Sequence, residues 1–218
     1  MSAVNDPSGV SQVFRDALGN LRRTRQGVEL AQISAPTHLA PFAAAVRADV
    51  VGTAAHRRAP GLSARAVARP LLAGRGVPGG PGTTDELATG RFVLLHDPAE
   101  PPAWGGAFRV VTWARSAVGR GITRDELAGA VAWTWLLEAL DRHRAGYSRE
   151  GGTVSRVLTD GFGILGDQEH GADLELRASW TPDGPDVEPH LAAWADTVGS
   201  FAGLPPYPHG VTVLHPRR

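Results

Sequence analysis

The chain contains no cysteine. It can therefore form no disulfide, offers no thiol nucleophile and builds no cysteine-ligated zinc or iron–sulfur site. Lysine is absent as well, because all 22 basic residues are arginine. That excludes a Schiff-base lysine, a lysine general base and the lysine of a phosphate-binding loop. Charge of one sign is not in excess, since 22 acidic residues bring the formal net charge to zero. A neutral balance argues against a protein drawn to nucleic acid or to anionic membranes by its overall field. No stretch approaches the roughly 18 consecutive apolar residues of a membrane span. The polar opening SAVNDPSG is unlike the apolar core of a signal peptide, so a cytoplasmic location is the expectation.

What is present is ordinary globular material. The 218 residues are 42% hydrophobic and 20% charged, enough to bury one sizeable core. Three segments have helical periodicity. Val10, Phe14, Ala17, Leu18 and Leu21 form one stripe after Asp6-Pro7-Ser8. Thr123 and Glu126 have the spacing of a capping box ahead of Leu127 to Leu140, which includes Trp133 and Trp135 and is apolar around most of its circumference. Val187 to Ala202, with Pro189 in its first turn, has the single stripe Leu191, Trp194, Ala195, Val198 and Phe201.

Between these lie segments of period two. In Asp173–Trp180 the residues Leu174, Leu176, Ala178 and Trp180 share one face, and Asp173, Glu175, Arg177 and Ser179 share the other. Val28–Ile33, Phe42–Val51, Arg91–His96, Phe108–Arg115 and Thr153–Thr159 complete about six strands. The order is helix, four strands, helix, two strands, helix. Grouped strands predict an α+β fold: an antiparallel sheet with three helices packed mainly on one face, in two layers. The same order resembles that of type III secretion chaperone-like folds, a likeness of architecture that carries no function. Residues 1–206 are expected to form one domain. Its interruption is the segment 52–84, which is rich in Gly, Pro and Arg, has no acidic residue, and reads as a mobile insertion. Residues 207–218 read as a C-terminal tail.

Several separate motifs, in order, resemble one family. They are Gly90-Arg-Phe-Val-Leu-Leu-His-Asp-Pro98, Trp104-Gly-Gly-Ala-Phe-Arg-Val-Val-Thr112, Gly151-Gly-Thr-Val-Ser-Arg156, Leu174-Glu-Leu-Arg-Ala-Ser-Trp-Thr-Pro182 and Ala202-Gly-Leu-Pro-Pro206. On these the chain is similar, from Val13 to Pro206, to the actinobacterial domain-of-unknown-function 3000 family. Segment 52–84 is longer than that pattern requires. The resemblance implies no activity, and so places no residue in a catalytic role.

The candidate sites come from the residues themselves. Arg47, Arg91, Arg109, Arg115 and Arg177 all fall in strands, and a sheet face presenting them would grip carboxylate or phosphate bidentately. The plainer account pairs them with Asp49, Asp173 and Glu175 across strands. Trp133 and Trp135 would anchor a second copy or a protein partner if the helix is not covered by its own domain; the plainer account puts them, with Trp113, Trp180 and Trp194, in the core. The arginines of segment 52–84 suit non-specific phosphate contact, but no aromatic residue is interleaved for base stacking. His96 and Asp97 are adjacent on a strand and so point to opposite faces, which suits a turn better than a catalytic dyad. Glu169, His170, Asp173 and Glu175 match no metal-ligand spacing.

The sequence therefore favours a non-catalytic module that binds a protein or itself, with no cofactor, no metal and no catalytic residue assigned. The alternatives are a small anionic ligand held by the sheet arginines, in a binding protein or an enzyme, and nucleic-acid binding through segment 52–84.

Overall fold

The computed structural model describes residues 27–36, 38–51, 86–118, 120–163 and 172–204. The expected first helix, segment 52–84 and the tail lie outside them. Six strands form one antiparallel sheet: β1 (Glu29–Ile33), β2 (Phe42–Val51), β3 (Glu86–His96), β4 (Phe108–Ala117), β5 (Tyr147–Leu158) and β6 (Ala172–Pro182). Their order across the sheet is β1-β2-β3-β4-β6-β5, so β5 is an edge strand and β6 is interior. The helices are a short α1 (Arg120–Arg124), α2 (Ala128–Arg142) and α3 (Glu188–Phe201). This is the expected α+β architecture.

Period two decides what each strand face does. Val46, Phe92, Val110, Leu176 and Trp180 point to one side and are almost fully buried. There α3 packs across β2, β3 and β4, and α2 packs on α3 and β5. Phe92 joins the layers, with its ring 5.6 Å from that of Trp194 in α3 and 6.4 Å from that of Trp180 in β6. Aromatic pairs at these separations add to the area they bury.

The two long helices exchange their expected roles. Eleven of the fourteen residues of α3 are buried, although its sequence shows a single stripe. Ala192, Ala193, Ala195 and Gly199 add little to an apolar stripe, yet they let neighbouring elements approach closely, and burial follows from that. Only Ala128, Ala132, Leu136, Ala139 and Leu140 of α2 are buried. The capping box is not formed. Thr123 is taken into α1, Leu127 holds the position before α2 without a side-chain cap, and Asp125 Oδ1 accepts the Leu127 N–H at 2.9 Å instead.

Candidate functional site

Because facing residues on antiparallel strands share a side, the register places all five candidate arginines on the face of the sheet away from α2 and α3. One cross-strand row reads Arg47, Arg91, Trp113, Arg177 and Thr153. The next reads Ala45, Val93, Val111, Ser179 and Gly151. Ala45 of β2 is 1% exposed and Leu95 of β3 4%, so this face is covered at those two residues; Val111 is 38% exposed, so it opens over β4. The opening is a groove of about 760 Å³ whose lining includes Arg91, Val111, Trp113, Gly151, Thr153 and Arg177.

Trp113 belongs to this groove and not to the core, which corrects the expectation made for it. The signal was present in its parity, since it alternates in step with Arg109 and Arg115 on β4. Arg91 and Arg177 flank it from the neighbouring strands, their backbones roughly 10 Å apart by two strand spacings. Gly151 leaves the side of the groove towards β5 low, because no atom lies within 4 Å of where its Cβ would stand.

The five arginines differ in what holds them. Arg47 pairs with Asp49 at 2.8 Å, Arg115 with Asp173 at 2.8 Å and Arg177 with Glu175 at 2.7 Å. For these three the cross-strand and same-strand acids account for the charge. Arg91 is exposed and has no ion pair among the described residues. Among the described residues Arg109 is bound by neutral acceptors alone: its Nη1 donates to Arg149 O and Thr181 Oγ1, both at 3.0 Å, and its Nη2 to Ser179 Oγ at 2.6 Å. Burial, and then the neighbouring Arg149 guanidinium, hold its pKa below the usual arginine value. It remains charged at neutral pH.

Arg149 is a residue the sequence did not single out. It sits in a bulge between Ser148 and Gly151 with φ of 53°, and its side chain lies against Gly105 of the β3–β4 connection. Arg91, Arg109 and Arg149 therefore leave the groove side of the sheet with positive charge that no described carboxylate offsets.

The other candidates are placed as follows. Trp133 packs over Gly152 of β5, and the Trp135 ring stands edge-on to Phe201 at 5.8 Å. Both are half-buried, and the large apolar side chains of this region left in solvent are Leu127 and Val131. His96 stacks on Phe108 with ring centres 4.5 Å apart, while Asp97 Oδ1 accepts the Ala99 N–H at 2.9 Å in a turn. Glu169 and His170 lie outside the described residues, and Asp173 and Glu175 are engaged with arginines. Among the described residues no cluster of three or more acidic or histidine side chains is arranged to hold a metal ion.

The fold and groove define a class: an α+β protein whose described helices pack on one sheet face, with an arginine-bearing groove on the other. The chain belongs to the family described as protein of unknown function (DUF3000), whose model matches residues 10–212. No curated protein and no solved structure matches it.

Proposed function

We propose that this protein is a non-catalytic binding module that seats an anionic ligand with a flat apolar body in the groove over Trp113. The observation that carries this is the single row in which Trp113 stands between Arg91 and Arg177. An indole face accepts a flat apolar group, and a guanidinium on either side accepts a carboxylate or phosphate in a planar fork. Arg91, which pairs with no acid among the described residues, is the guanidinium most available to the ligand. Arg177 would exchange part of its bond to Glu175 for one to the ligand.

Binding without chemistry is favoured by what lines the groove. Its ionisable side chains are arginines, which do not exchange protons near neutral pH. Its hydroxyls, Thr153 and Ser179, have no histidine or free carboxylate among the groove-lining residues to activate them.

The test is a titration of the full-length protein with 2-naphthoate, followed by the indole N–H signal of Trp113 in two-dimensional NMR. Naphthoate is expected to shift that signal, and Arg91→Ala with Arg177→Ala is expected to abolish the shift. Uncharged 2-naphthamide is the control. An absent response to naphthoate, or an equal response to both compounds, overturns the reading.

A further inference from the structure

We infer that two copies of the chain join edge to edge through β5, about a two-fold axis that passes through Thr153. The two sheets then run on as one. This rests on the edge strand and is independent of the groove reading.

Among the described residues β5 is the last strand of the sheet, paired with β6 alone, and it is twelve residues long. Only Tyr147 and Val154 along it are not exposed. Alternate backbone N–H and C=O groups of such a strand point outward with no strand partner, a template for another strand. Proteins blunt such edges with proline, lysine or bulges. Past the bulge at Ser148–Gly151, β5 has no proline, and Arg156 is its single charged residue.

The register follows from two constraints. Facing residues must share a side, and charges must meet their opposites. Glu150 has no charged partner among the described residues, and the Arg156 guanidinium donates to a backbone oxygen, Asp125 O, at 2.8 Å. With the axis on Thr153, the ladder from Gly151 to Ser155 pairs with itself, and Glu150, the bulge residue next to Gly151, extends it by one position to face Arg156 of the other copy, so the complementary contact forms twice. With the axis on Gly152, Glu150 faces Val154 and Arg156 falls at the bulge, past which Ser148 lies on the opposite side of the sheet. With it on Val154, Glu150 faces Leu158 and Arg156 faces Gly152. Thr153 alone of these three satisfies both charges.

Apolar burial agrees with that axis. Trp133 lies over Gly152, where a Cβ would stand 2.7 Å from its ring. Gly152 faces Val154 of the second copy, so the half of Trp133 left open within one chain is covered across the axis. Val157 and Leu158, 42% and 50% exposed, lie on the strand that becomes interior.

The absence of cysteine supplies a direct test. Residues facing each other at a strand pair have Cα atoms about 4.5–5.5 Å apart, within the span of a disulfide. Thr153→Cys in the full chain is expected to oxidise to a covalent dimer, because each thiol meets the same thiol of the second copy. Light scattering after size exclusion should show a dimer for the unmodified protein. Arg156→Glu should weaken it by about tenfold or more, since like charges then face each other twice. The double variant Glu150→Arg with Arg156→Glu should restore it. A monomer at the highest soluble concentration overturns the proposal. So does a dimer that ignores Arg156→Glu and leaves Thr153→Cys uncrosslinked, which places the contact elsewhere.

Discussion

Trp180 donates its indole N–H to Nδ1 of His190 at 3.0 Å, in a core where the tryptophan is fully buried and the histidine 2% exposed. Accepting that bond fixes the imidazole as the neutral tautomer with its proton on Nε2. Protonation of Nδ1 would remove the acceptor and place a charge beneath α3.

Stability should therefore fall in mild acid. Burial pushes the His190 pKa down from 6.5 to about 4, with Asp186 and Asp183 pulling it partly back. Between those values the unfolded chain binds the proton and the folded chain does not. The stabilisation is complete above pH 6.5 and is lost as pH falls towards 4, by about 3 kcal/mol in all. Urea unfolding at a series of pH values should show this loss, and His190→Gln should flatten it over that range.

Gly90 should not tolerate a side chain. A Cβ there would stand 2.8 Å from Trp194 Cζ2, 2.9 Å from Trp113 O and 2.9 Å from Val198 Cγ2. Two of these belong to the packed face of α3 and one to the β4 backbone, so none is a flexible tip that swings away. Gly90→Ala is expected to cost about 1–3 kcal/mol through overpacking. Gly151→Ala, with open space around it, should change thermal stability little, and the two variants measured together separate packing from glycine chemistry.

Arg115 and Arg177 both hold an acid, yet their removal should differ. The Asp173 side chain is 6% exposed and loses its Arg115 partner inside the fold, whereas the Arg177 side chain is 69% exposed beside Glu175. Arg115→Ala is expected to destabilise by about 1–3 kcal/mol, the cost of leaving a buried charged acceptor short of a bond. For Arg177→Ala the expected cost is under about 1 kcal/mol, as for other exposed pairs. Chemical denaturation of the two variants at neutral pH decides this. The opposite order would mean that the exposed pair, and not the buried one, holds the sheet.

Local periodicity determined much of this protein. Leu174, Leu176, Ala178 and Trp180 alternate with Asp173, Glu175, Arg177 and Ser179, and a strand places alternating residues on opposite faces wherever it lies. That made the α+β class, the positions of the two long helices and the shared parity of Arg109 and Arg115 legible from residues alone. Tertiary structure decided the rest. Nothing local says that β6 pairs with β4 as well as β5, since the chain reaches β5 first and strand order depends on which surfaces pack. That choice made β5 an edge and set Trp113 between Arg91 and Arg177. The exchange between α2 and α3 has the same cause: apolar periodicity measures what a helix offers for burial, while small residues such as Ala193 and Gly199 set how closely its neighbours come.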